Sequence, residues 1–209
     1  KFAVLNPSDS VADWVVDTVE KLGAGWCPPG ILGIGVGGSS DRAMAMAKKA
    51  LNDPLDMQAL LKNGPQNKSE ELRIEIYERV NALGIGAQGL GGVTTVLDVK
   101  IKSFPTHAAS LPVGLIPNCA ATRHLHFTLD GTGVPNFETP DLAAWPEILL
   151  DEANKNARRV DVDNLHEETL ASLKIGETLL LNGTIYTGRD AAHKRIVNFL
   201  DEGLSLIHI

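Results

Sequence analysis

Gly84–His124, GIGAQGLGGVTTVLDVKIKSFPTHAASLPVGLIPNCAATRH, decides how the rest of the chain is read. It opens on Gly84, Gly86, Gly89, Gly91 and Gly92, residues that let a backbone approach a ligand closely or adopt φ > 0. Val93–Ile101, rich in β-branched residues with partial alternation, reads as a strand. His107 and Ser110 follow, then a second apolar run, Leu111–Ile116, and then Pro117-Asn118-Cys119. A histidine and a cysteine, each in a Pro/Gly-punctuated loop at the end of a strand-like run, are placed as site residues are. The competing reading is a buried thiol and a surface imidazole, because free cysteine is among the most buried residue types.

Outward from this stretch the pattern alternates between helix and strand. Lys68–Leu83 has the spacing of an amphipathic helix, with Leu72, Ile76, Val80 and Leu83 on one face and a Glu/Arg-rich solvated remainder. Asn52–Asn67, with Pro54, Gly64 and Pro65, reads as a polar connector. Asp9–Leu22 reads as a helix capped by Ser8 or Ser10 and ended by Gly23-Ala24-Gly25. Trp26-Cys27-Pro28-Pro29-Gly30 is a non-helical loop, since each proline disfavours the α region for the residue before it. Ile31–Val36 is a short strand, and Gly37-Gly38-Ser39-Ser40-Asp41 starts a helix that runs to about Leu51. The GIGVGG turn lacks the third glycine of a dinucleotide fingerprint in register and has no Walker lysine. A carboxylate contact or plain tight packing at Gly38, Ser39 and Ser40 fits better than a nucleotide.

Downstream, His124–Leu129 alternates as a strand does, with His124 and His126 on one face. A solvent-facing pair is the simpler reading there than a metal site. Val134–Asn156, rich in Pro, Asp, Glu and Asn, reads as a linker or domain boundary. Beyond it, Val160–Val162 reads as an edge strand, Glu167–Leu173 as a helix and Thr178–Leu181 as a strand. Asn182-Gly183 reads as a hairpin-type turn into a strand Thr184–Thr187, and Gly188-Arg189-Asp190 as the head of a helix to Leu200. Arg189 at that junction suits bidentate capture of a carboxylate; an ion pair with Asp190 or Glu202 is the alternative.

The composition is that of an ordinary globular protein: 209 residues, 44% hydrophobic and 22% charged. A net charge of −7 argues against a nucleic-acid surface. No apolar run approaches the roughly 20 residues that span a bilayer, and no secretory signal precedes the polar sequence after Val4. A chain of this kind is expected in the cytoplasm, where Cys27 and Cys119 would stay reduced thiols. Thiols there serve packing, metal ligation or catalysis, and spacing alone does not choose among them.

Several segments together resemble class I, iron–sulfur-dependent fumarate hydratase. They are Cys27-Pro28-Pro29 with the GGSS helix start, GIGAQGLGG, His107-Ala108-Ala109-Ser110, and Asn118-Cys119-Ala120-Ala121-Thr122-Arg123. Leu181-Asn182-Gly183-Thr184 and Thr187-Gly188-Arg189-Asp190-Ala191-Ala192-His193 complete the set. The likeness runs in order over nearly the whole chain, and L-tartrate dehydratase is its nearest alternative. The resemblance implies a mixed α/β fold. Residues 1–150 would form a cluster-binding α-region domain truncated at its N-terminus, residues 158–203 the start of a smaller β-region domain, and residues 204–209 a non-native tail. It implies a [4Fe–4S] cluster ligated by Cys27 and Cys119 as the second and third of three thiolates. It also implies His107 as a catalytic, substrate-contacting residue beside the same cavity, and Arg189 as the clamp on a substrate carboxylate. The remaining implications are a small dicarboxylate substrate (fumarate or L-malate), a homodimer, and no nucleic-acid or membrane partner. The first cluster cysteine and the threonine base of the family would lie outside this sequence, so the 209-residue chain is expected to be inactive alone. A cluster-free binding or scaffold module of the same fold is the reading from another class.

Overall fold

The computed structural model describes residues 1–122, 127–134, 143, 145, 147 and 155–204. They fall into two compact units, Lys1–Ile148 and Leu149–Ile209. The elements mix helices with parallel and antiparallel strands, so the α/β class expected from the sequence is what the chain adopts.

The first unit is built on a four-stranded sheet whose order is β1 (Phe2–Leu5), β4 (Leu111–Cys119), β2 (Gly30–Gly37) and β3 (Val96–Phe104). Strand β2 runs parallel to β3 and antiparallel to β4, and β4 runs antiparallel to β1. The pleat of β2 explains both layers that cover it. One face carries Leu32 and Ile34 beside Val113, Leu115 and Val99, and these pack with Val15 and Val19 of α1 (Val11–Leu22) and Ile76 and Val80 of α4 (Lys68–Ala82). The other face is cut away by Gly33 and Gly35. A Cβ at Gly33 would stand 2.6 Å from Leu51 Cγ, and one at Gly35 would fall on the carbonyl of Ala43, so α2 (Ser40–Ala50) lies directly on the strand.

Strand β3 is an edge whose unpaired groups are covered by side chains of α4. Arg73 Nε donates to Val99 O at 2.6 Å. Asn81 Nδ2 donates to Val96 O at 3.2 Å, while its Oδ1 accepts from the amides of Thr95 (2.7 Å) and Val96 (3.0 Å). Arg73 is only 9% exposed, so it does not belong to the solvated face that the Glu/Arg-rich sequence suggests. It meets Asp98 at 3.2 Å and also Asp56, and Lys100 meets the same two carboxylates at 3.1 and 2.6 Å. Asp98, fully buried, also accepts from the amides of Asp56 (2.8 Å) and Met57 (3.1 Å), which fixes the start of α3 (Met57–Asn63).

That seven-residue helix occupies the stretch expected to be a connector; Met57 and Leu60 reach the core. Strand β3 begins three residues later than expected because Thr95 turns its hydroxyl to the amide of Gly86, 3.1 Å away, and so ties the glycine-rich loop. Trp26 closes a short 3-10 turn, Gly23–Trp26, where an irregular loop is expected. Ser10 supplies the cap of α1, its Oγ accepting from the amide of Asp13 at 3.1 Å.

In the second unit β5 (Arg158–Asp161) pairs parallel with β6 (Leu179–Asn182) through the crossover helix α5 (Glu167–Ser172). Helix α6 (Asp190–Asp201) follows. The hairpin expected at Asn182-Gly183 does not form and Thr184–Thr187 is not a strand, because β6 is paired to the strand before it. Of the expected strand His124–Leu129, Phe127–Leu129 are non-regular and 124–126 lie outside the described residues, as do 205–209 of the expected tail.

Candidate functional site

Strand register places the two thiols. Cys119 ends β4 and pairs with Gly30, the first residue of β2; the pairing continues one step further, Ala120 N donating to Pro29 O at 3.2 Å. Cys27 lies three residues before Gly30, in a left-handed turn (φ 59°, ψ 60°) that ends the 3-10 turn. Cysteines 92 positions apart in sequence therefore lie toward the same end of one strand pair. Both are free thiols, Cys27 exposed and Cys119 half-buried, and Cys119 Sγ already accepts the amide of Ala121 at 3.3 Å. The glycine-rich loop closes over the same end. The amide and side chain of Gln88 donate to Pro28 O at 2.7 and 3.3 Å, and Gly89 sits against Ala24, where a Cβ would stand 2.5 Å from that alanine's own.

His107 lies at the other end. It follows β3 and precedes β4, beside Gly37 and Gly38, where Thr106 Oγ1 donates to Gly38 O at 3.1 Å. Its Nδ1 accepts the amide of Ala109 at 3.1 Å; when the ring is neutral this assigns the proton to Nε2, leaving an N–H donor. An open cleft of about 530 Å³ adjoins it, lined by Ser39, Ser40, Arg42, Phe104, His107 and Ser110 among others and by no carboxylate. Arg42 stacks on Phe104, 3.2 Å from the ring centroid. The Ser39 hydroxyl, 2.5 Å from Asp41 Oδ1, holds that carboxyl below its ordinary range.

The nine residues of β4, at about 3.4 Å each, span roughly 27 Å from Leu111 to Cys119, and His107 lies in the loop before the Leu111 end. The expected cavity shared by His107, Cys27 and Cys119 is thus not formed within this unit. Arg189 belongs to the second unit, where it is the exposed N-cap of α6 and its carbonyl accepts the amides of Ala192 (2.8 Å) and His193 (3.1 Å). It makes no ion pair with Asp190 or Glu202. Trp26 and Asn118, neighbours in sequence of the two cysteines, were not singled out by the sequence; each carries a buried N–H group without a partner.

The first unit is thus a three-layer α/β structure with two free thiols at one end of its sheet, beside a glycine-rich loop. The comparisons specify it further. Residues 1–128 match the family profile described as "Fumarate hydratase (Fumerase)" and residues 131–208 that described as "Fumarase C-terminus". The chain belongs to the fumarate hydratase family. It is 31% identical to the aerobic class I fumarate hydratase of Salmonella typhimurium over 98% of this chain and 36% of the relative. The mitochondrial fumarate hydratase 1 of Leishmania major is 30% identical over 98% and 39%. A Methanocaldococcus jannaschii protein provisionally named L(+)-tartrate dehydratase subunit alpha is 43% identical over 57% and 41%. The chain thus spans 36–41% of the length of these relatives.

Proposed function

We propose that this chain is part of a hydro-lyase that interconverts fumarate and L-malate, with Cys27 and Cys119 holding a [4Fe–4S] cluster. The observation that carries the reading is the Gly30–Cys119 pairing, which gathers two free thiols at one end of β2 and β4 in a chain of this family. The donor set fits: both residues are thiols, one already accepts an amide hydrogen bond as a thiolate ligand does, and Trp26, the residue before Cys27, carries a buried indole N–H without a partner. When bound, the group supplies a Lewis-acidic iron for oxygen atoms of the substrate.

The chain's own residues supply donors. Negative charge builds on the carboxylate next to the carbon that exchanges a proton, and preorganised N–H groups favour it. His107 Nε2–H, oriented by Ala109, and the Arg189 guanidinium are those donors in this reading. A four-carbon dicarboxylate is far shorter than the length of β4, so it does not touch the thiol end and His107 of one copy together. The reading therefore includes a cytoplasmic homodimer in which His107 of one copy serves the thiols of the other. L(+)-tartrate is the second candidate substrate, on the similarity to the Methanocaldococcus jannaschii protein.

The experiment is complementation in the full-length, anaerobically reconstituted protein. Cys119→Ser and His107→Ala are each expected to lower fumarate hydration by roughly a hundredfold or more. Co-refolding the two variants should restore up to about a quarter of wild-type activity, since residues that act as a unit recover only when one intact set is assembled. Full activity of Cys119→Ser would end the cluster reading. Absence of any recovery in the mixture would end the shared-site arrangement, and turnover of L(+)-tartrate alone would reassign the substrate.

A further inference from the structure

Among the described residues, two buried side-chain polar groups have no hydrogen-bond partner, Trp26 Nε1 and Asn118 Nδ2. A desolvated donor left unpaired is destabilising, so each raises the question of what it meets. For Trp26 the surroundings narrow the answer. The residue is 8% exposed, which removes bulk water as a partner. It is bonded directly to Cys27 in the chain. Its ring also lies on the sheet face of Cys119: Gly30 and Cys119 are cross-strand partners, such partners project to one face, and a Cβ at Gly30 would stand 2.6 Å from Trp26 Cζ3. The absence of that Cβ is what admits the indole. Asn118 pairs with Ile31, one residue out of phase, so its amide is on the opposite face and is not assigned.

We propose that the Trp26 indole N–H donates a hydrogen bond to a sulfur, thiolate or sulfide, of the cluster held by Cys27 and Cys119. The proposal rests on the ligand reading above and deepens it. Such bonds to sulfur raise the reduction potential of an iron–sulfur centre and orient its ligands. Trp26 is a positioning residue in this scheme: it holds the sulfur electrostatically and shields that side of the group from water, without touching the substrate.

The test uses the full-length protein, reconstituted anaerobically with iron and sulfide and compared with its cluster-free form. Ultraviolet resonance Raman reads the hydrogen-bonding state of indole N–H groups. The loaded-minus-free difference is expected to show one indole passing from unbonded to bonded, a change missing from Trp26→Phe, which keeps an aromatic ring at the site but has no donor. Trp26→Phe should load the same iron and sulfide, titrate at lower potential and lose its cluster in air at least twofold faster. An indole that stays unbonded on loading overturns the proposal, as does one already bonded in the cluster-free protein. Should Trp26→Phe fail to fold, the wild-type difference spectrum still decides. Failure of the wild type to take up iron and sulfide would overturn the cluster reading and this proposal together, whereas loading with an unmoved indole would overturn this proposal alone.

Discussion

The two units handle apolar surface in opposite ways. In the first, Val15, Val19, Leu32, Ile34, Ile76, Val80, Val99, Val113 and Leu115 are wholly buried between sheet and helices. In the second, Val160, 4% exposed, is the one buried hydrophobic residue among those described, while Leu170, Leu181, Ile185, Val197 and Leu200 are all more than half exposed. Helix α6 has a clear apolar stripe, Ile196, Val197, Phe199 and Leu200, with nothing buried. Burying a side chain of this size stabilises by about 1.5–3 kcal/mol, so the core of unit 1 is the main source of its stability. Amphipathic pattern tells which face of an element wants covering; it does not tell whether the cover is at hand.

The largest effect expected from this contrast is at the buried charges of unit 1. Asp98→Asn leaves Arg73 and Lys100 facing Asp56 alone, and removing one member of a buried ionic group destabilises by about 3–5 kcal/mol. The exposed Arg158–Glu177 pair of unit 2, at 3.9 Å, is worth about 0–1 kcal/mol, so Glu177→Gln should barely register in the same urea titration. Acid sharpens the comparison. Desolvation, the largest influence on Asp56, pushes its carboxyl up, but the hydrogen bonds and charges of Arg73 and Lys100 outweigh it and hold the carboxyl below its ordinary range. A folded-state value below the unfolded one means that its contribution is fully present above the ordinary carboxylate range, near pH 4, and is lost as pH falls through the lowered value. Unit 1 should therefore keep this contribution down to about pH 4 and lose it below. Equal urea midpoints for wild type and Asp98→Asn would show that the network is not what anchors α3.

A smaller pair of effects uses one substitution in both units. Gly35→Ala would place its Cβ on the Ala43 carbonyl, and α2 must move away, a change expected to destabilise by about 2–3 kcal/mol. Gly176→Ala meets open space, and only its φ of +83° resists, at about 1–2 kcal/mol. Thermal unfolding followed by circular dichroism compares them. A larger loss at Gly176 would mean that the close approach of α2 to β2 is softer than the structure has it.

What could be read from sequence follows the same division between pattern and partner. Helices α1, α2 and α4 were legible because apolar spacing, a capping residue and a terminating glycine or proline coincide. Helix α3 was not, because it is short and its apolar residues stand between Pro54 and Pro65. Arg73 looked solvated, since its burial depends on Asp98 and Val99, neither local to α4. Turn chemistry alone suggests a hairpin at Asn182-Gly183, yet β6 pairs with β5 upstream. At the site, the convergence of Cys27 and Cys119 is set by the register of β2 on β4, which no spacing rule encodes. The separation of His107 from Cys119 did have a signal: residues that flank one strand-like run must lie a strand's length apart.

The smallest stability effect is expected at Arg189, and it is the most telling about role. The side chain is exposed and makes no ion pair with Asp190 or Glu202, and its cap function is carried by its carbonyl, which any residue supplies. As a cation at the N-terminus of α6 it faces the positive end of the helix dipole, an unfavourable placement by about 0.3–1 kcal/mol at low salt. Arg189→Ala should therefore leave the unfolding midpoint unchanged or raise it slightly, with the rise fading as salt screens the charge. A cation that the helix does not need is available to something outside it, and a substrate carboxylate is the proposed partner. In the full-length protein the same substitution should raise KM for the dicarboxylate by roughly tenfold or more, the scale of a charge-assisted hydrogen bond, with Arg189→Lys recovering only part because it lacks the planar fork. Loss of stability together with an unchanged KM would make Arg189 a structural residue after all, and would leave unit 2 without its candidate contact to the substrate.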